Sequence, residues 1–124
     1  MNRMKVVYVA GPFRGETAWR VAENIRAAER VGMKVAELGA MPLIPHANTA
    51  NFDGTMSDRF WIDGTAELLL RCDALVTTER WRASSGAVGE VELAHKHSIP
   101  VFHTLGDLGW WLRDCEQEGT EANK

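Results

Sequence analysis

Cysteine is scarce in this 124-residue chain. Cys72 and Cys115 are the only two, and their spacing matches neither a disulfide framework nor a zinc ligand set. Reduced thiols in the cytoplasm are the expectation. No apolar run approaches the roughly 18 residues of a bilayer crossing, which excludes a membrane-spanning helix. Charge of one sign is not in excess. A net charge of -3 offers no footprint for a nucleic acid polymer or an anionic membrane, although a local turn can still bind an anion. No signal-peptide pattern precedes the first strand-like run, which again points to the cytoplasm. Repeats, linkers and low-complexity segments are missing too, so residues 1–124 read as one domain, with a polar tail over 118–124 that is expected to fray.

What is present is an ordinary soluble composition, 45% hydrophobic and 25% charged, in a strict alternation of patterns. Met4–Ala10 is short and rich in β-formers, and Gly11-Pro12 ends it. From about Glu16 to Leu38, Val21, Ile25, Ala28, Val31, Val35 and Leu38 recur at steps of three and four, the stripe of a helix on a sheet, with Gly39 as its stop. A short strand over Met41–Pro45 leads into a polar, turn-rich loop from His46 to Thr55. Ser57 can cap a helix from about Asp58 to Arg71, irregular near Gly64, with Ile62, Ala66, Leu69 and Leu70 facing the core. Ala74–Thr78 is a third strand, Ser85–His97 a helix burying Val88, Val91 and Ala94, Ile99–His103 a fourth strand, and Leu108, Trp111, Leu112 and Cys115 mark a last helix. This order predicts an α/β single-domain three-layer sandwich with a mostly parallel four- or five-stranded sheet, flavodoxin/Rossmann-like.

Parallel sheets place their sites beyond the carboxyl ends of the strands. Four loops meet there, over 11–15, 46–55, 79–86 and 103–107, and they hold most of the polar candidates. Ser84, Ser85 and Gly86 stand where a strand turns into a helix, whose free N–H groups suit an anion. A serine is equally the normal helix cap. Glu90 follows one helical turn later and is the lead catalytic carboxylate, set against a plain exposed glutamate such as Glu92. Arg14 can grip a phosphate in a fork, or be a surface arginine. Gly11 and Gly15 permit tight turns and close approach of a ligand. His46 can carry a proton or touch phosphate, and Asn48 can bind a base or a sugar hydroxyl. Tyr8 lies inside the first strand, where its ring suits the core. Asp63 and Asp73 are further carboxylates of interest; Asp73 fits a structural turn as well as chemistry. His95 and His97 read as solvated, and no metal-ligand pattern joins the four histidines.

Three blocks carry a family resemblance: Tyr8-Val9-Ala10-Gly11-Pro12-Phe13-Arg14-Gly15, Cys72-Asp73-Ala74-Leu75-Val76, and Trp81 followed by Ser84-Ser85-Gly86-Ala87-Val88-Gly89-Glu90. Over roughly Met4 to Phe102 the chain resembles the nucleoside 2-deoxyribosyltransferase-like superfamily, most closely its DUF4406-type branch. The resemblance implies that Glu90 is the nucleophile and that the reaction is transfer of a deoxyribosyl group or hydrolysis of a nucleoside 5′-monophosphate. It implies that the 11–15 loop and Ser85-Gly86 hold phosphate, and it adds Tyr8, Phe13 and Trp81 to the substrate-binding set. Neither a metal nor an organic cofactor is needed. One departure stands out. The superfamily carries an aspartate eight residues before the Asp73 position, and here that residue is Thr65. Asp63 is then the expected source of the acid, together with Glu90 as the catalytic pair.

Two other readings compete: a nucleotide-binding module without catalysis, and a structural or partner-binding protein. Five tryptophans, four of them near segment ends, also point to a homodimer or higher homo-oligomer, with Trp61 and Trp110 as nominees for the contact and packing within one chain as the alternative.

Overall fold

The computed structural model describes residues 3–52 and 54–122, with side chains through 117. Four strands, β1 (Val6–Ala10), β2 (Met41–Leu43), β3 (Ala74–Thr77) and β4 (Val101–Phe102), form one sheet in the order β2-β1-β3-β4, and every pairing is parallel. Parallel neighbours need crossovers, and the helices α1 (Ala18–Glu37), α2 (Pro45–Asn48), α3 (Asp58–Leu70) and α4 (Ser85–Lys96) supply them, while α5 (Leu105–Ala122) follows the last strand. The expected three-layer α/β sandwich is therefore found, with four strands.

The period-two alternation of β1 and β3 sorts two cores. Val7, Val9, Ala74 and Val76 face α1 and α5, where Ala28, Val35, Leu108 and Leu112 close one layer. Tyr8, Ala10 and Leu75 face α3 and α4, where Leu69, Val91 and Ala94 close the other. Both central strands are buried over almost their whole length, which is why their sequences read as continuous apolar runs. Asp73 has a structural role: its carboxylate accepts from the Val6 N–H at 2.8 Å, aligning the amino ends of β1 and β3, far from their carboxyl-end loops.

Local chemistry explains the helix ends. Thr17, Ser57 and Ser84 cap α1, α3 and α4, each accepting from the backbone N–H three residues on. Gly39, at φ +94, stops α1 in the left-handed region.

Several expectations shift. The helix after Ser57 is continuous through Gly64. Its buried face runs through Trp61, Thr65, Leu68 and Leu69, while Ile62 and Leu70 are exposed. The prediction from Ile62 and Leu70 followed an apolar stripe turned about a quarter of a helix away from the true contact face. The 46–55 loop opens with a short helix, α2, because Pro45 pre-sets the helical φ at its first position. The last helix continues to Ala122, into the stretch 118–124 that was expected to fray, and residues 123–124 lie outside the described residues.

Candidate functional site at the carboxyl ends of β1 and β3

From β1 the chain turns one way, through α1 to β2. From β3 it turns the other way, through α4 to β4. The loops after β1 and β3 therefore part company, and this switch point is where an open α/β sheet usually forms its ligand crevice. The two strand ends are tied at its floor. Thr78 donates its N–H to Ala10 at 2.9 Å, and Gly11 lies so close that any Cβ there would run into the Thr78 hydroxyl.

Tyr8 is fully buried on β1, as a core ring should be, and its hydroxyl donates to Glu90 on α4. The core placement expected of the ring is found, and the hydroxyl adds a contact to Glu90 that the sequence did not indicate. Burial pushes the Glu90 carboxyl up from 4.5 to about 7, and the Tyr8 hydrogen bond offsets part of that rise. The same pairing, with burial as the larger cause, drives the Tyr8 phenol well above its ordinary value; Thr65 acts weakly the other way. Thr65 thus faces the pair from α3, while its hydroxyl also donates to the Ile62 carbonyl at 3.0 Å. Glu92, two residues on, is exposed.

Asp63 is not brought to this cluster. Its side chain is 60% exposed and pairs with Arg59 at 3.1 Å. A residue two places from Thr65 on a regular helix is turned by about 200°, and with no irregularity at Gly64 that rotation stands.

The first loop is pinned from behind. His46, buried on α2, donates through Nε2 to the Gly11 carbonyl at 2.8 Å and meets the Phe13 ring edge-on at 5.2 Å. Burial lowers its pKa, so the neutral imidazole is favoured. Asn24, which sequence reasoning missed, donates to the carbonyls of Phe13 and Arg14 at 3.0 and 3.2 Å. Across a trans peptide the N–H opposes the C=O, so the Arg14 and Gly15 N–H groups point away from Asn24. The only signal for Asn24 was a lone amide on the first helix, two turns beyond the loop it holds. The Arg14 side chain is exposed and rests 3.3 Å from Asp58 at the start of α3.

On the other wall, Ser84 spends its hydroxyl on the Ala87 N–H at 3.1 Å, whereas Ser85 and Gly86 at the start of α4 are exposed. Trp81 stacks on His103 with ring centroids 4.8 Å apart, and the Arg82 guanidinium lies 4.6 Å from the Trp81 centroid. His103 is fixed in turn by Thr77, 3.0 Å from its Nδ1. His103, Arg82 and Thr77 were not singled out in advance, because the stack joins two loops remote in sequence. Asn48 is exposed on α2. Cys72 is buried, and burial beside Asp73 raises its thiol to about 11, which keeps it unreactive. Among the described residues, no three His, Cys, Asp or Glu side chains are grouped to hold a metal ion, and no helix is long and apolar enough to cross a membrane.

The fold is shared with solved structures. A conserved protein from Enterococcus faecalis V583 superposes with a TM-score of 0.63 at 23% identity, over 80% of this chain and 62% of that one. This chain thus spans less than two thirds of that protein. A 2-deoxyribosyltransferase from Bacillus psychrosaccharolyticus superposes with a TM-score of 0.59 at 18% identity, over 77% of this chain and 69% of that one. The expected likeness to deoxyribosyltransferases is therefore present at the level of fold. No curated protein sequence matches the chain. The family match is also not to the DUF4406-type branch that the motifs suggested. A different family model covers residues 5–104, and the chain belongs to that family, DUF7768, a domain of unknown function.

Proposed function

We propose that the chain cleaves, or transfers at, the N-glycosidic bond of a nucleoside 5′-monophosphate or related (deoxy)nucleotide. The observation that carries this reading is the Tyr8–Glu90 pair, a desolvated carboxylate held by a phenol beside the β1/β3 crevice. A carboxylate so placed can attack C1′ of the sugar, form a glycosyl ester and release it to water or to an acceptor base. Tyr8 holds one carboxylate oxygen and orients the other. The Ser85 and Gly86 N–H groups, the Ser85 hydroxyl and Arg14 are the donors for the phosphate. Gly11, Phe13 and Gly15 let the ligand approach the first loop, and His46 holds that loop in place. Asn48 and Trp81 are the candidates for sugar or base contact. The fold likeness to a 2-deoxyribosyltransferase supports this reading.

The test is release of free base from a panel of nucleoside 5′-monophosphates. Glu90→Gln should cut turnover by at least ~100-fold, Glu92→Gln should be nearly silent, and the matching nucleosides should bind more weakly than the nucleotides. Unchanged turnover in Glu90→Gln overturns the assignment. The hydroxyl at Thr65, where an acid would serve a glycosidase, favours a second reading, a nucleotide-binding module; nucleotide binding without any free base would select it.

The protein is further proposed to be a homo-oligomer. Trp19 and Trp110 are 73% and 66% exposed, whereas Trp61 packs within the chain against Phe52 and Phe60. Light scattering at micromolar concentration tests this, and a mass of 13.8 kDa would exclude it.

A further inference from the structure

A desolvated carboxylate normally has a cationic partner, since burying a charge is costly unless it is paired. Glu90 has none: among the described residues the ion pairs involve other carboxylates, and its one hydrogen-bond donor is the neutral phenol of Tyr8. The facing helix α3 has little to give a leaving base. A neutral nucleobase departs readily only when it is protonated as the bond breaks. The α3 side chain that faces the pair is the hydroxyl of Thr65, itself donating to Ile62, and hydroxyls are not acids near neutral pH. The Tyr8 phenol is engaged with Glu90, and Asp63 is turned out to Arg59.

A buried carboxylate without a cationic partner, and no acid facing it from α3, together fit one kind of substrate. We infer that the preferred substrate is a nucleotide whose base is cationic at the glycosidic nitrogen, a pyridinium-type N-riboside 5′-phosphate. This rests on the glycosidic reading above and names its substrate class. The cationic ring supplies the counter-charge that Glu90 lacks, and it leaves without a proton. In the first step a Glu90 oxygen bonds to C1′, the C1′–N bond breaks, and its electron pair returns to the ring nitrogen, giving a neutral pyridine. In the second step water bonds to C1′, the ester C–O bond breaks to restore the Glu90 carboxylate, and the water proton goes to solvent. The net products are the neutral base, a sugar 5-phosphate and one proton.

The probe is nicotinamide mononucleotide, compared with cytidine and adenosine 5′-monophosphates on the full chain. Wild type should cleave the pyridinium nucleotide with kcat/KM on the order of 100-fold above either neutral-base nucleotide, releasing one proton per turnover. Thr65→Asp should raise cleavage of the neutral-base nucleotides by roughly 10-fold or more, with Thr65→Asn as the isosteric control that does not. A binding arm is independent of turnover and of how the Thr65 variants fold. At pH 8, Glu90→Gln should weaken nicotinamide mononucleotide binding by about 10-fold more than it changes cytidine 5′-monophosphate binding. Equal cleavage of charged and neutral bases overturns the inference, as does equal binding of both by wild type and Glu90→Gln. Selective binding without cleavage supports the cationic preference and refutes the glycosidic reading, so the two failures are separable.

Discussion

The phenol of Tyr8 donates to the carboxylate of Glu90 across 82 residues of sequence, joining the central strand β1 to the second turn of α4. Burial pushes the Glu90 carboxyl up to about 7, and this contact holds it from rising further. Three further predictions follow from it and from the strand ends around it.

Tyr8→Phe removes the hydrogen bond that holds the Glu90 pKa down. With burial left unopposed, the carboxyl should titrate above its present value of about 7. The acidic limb of the kcat/KM profile should therefore move to higher pH, with turnover falling several-fold at pH 7 and recovering in part near pH 9. A limb that stays in place would mean that Glu90 is not the group being titrated.

Glu90→Gln should stabilise the fold at alkaline pH. The folded pKa, about 7, lies above the ordinary 4.5, so the group favours folding when protonated. That contribution is complete below 4.5 and is lost as pH rises through 7, a swing of at most about 3 kcal/mol. The variant should melt higher than wild type at pH 8, and the gap should close at pH 4.5. His46 acts in the opposite direction. Its pKa is lowered by burial, so its stabilisation is lost as pH falls below 6.5, but it is common to both proteins and cancels in the difference. Equal melting temperatures at pH 8 would contradict the desolvated carboxylate, and a stabilised, inactive variant would mark a site held at the expense of stability.

Gly11→Ala should destabilise by about 1–3 kcal/mol, because the new methyl runs into the Thr78 hydroxyl on the neighbouring strand end. Thr78→Ala in the same chain should recover most of that loss. Denaturant unfolding of the two single variants and the double variant measures the coupling, and strict additivity would show that the two residues do not touch.

The strands, the crossovers and the location of the crevice were legible without coordinates, since each depends on local periodicity and on the handedness of parallel connections. The Gly11 and Ser84–Gly86 turns were legible for the same reason: caps and tight turns are chosen by the residues that form them. Side-chain direction on α3 was not. Ile62 and Leu70 are apolar enough to pass for core, and only the packing of α3 against Tyr8 and α4 shows that Thr65 faces inward and Asp63 outward.

The amino-acid order alone determined which elements form and at which end of the sheet the polar loops collect, because hydrophobic period and turn chemistry act over a few residues. Tertiary structure alone decided the pairing of Tyr8 with Glu90, the hold of Asn24 and His46 on the first loop, and the Trp81–His103 stack. Each of these contacts joins residues separated by at least 10 positions. Their distances follow from how helices dock on a twisted sheet, and burial there, not residue identity, shifts the Glu90 carboxyl to about 7.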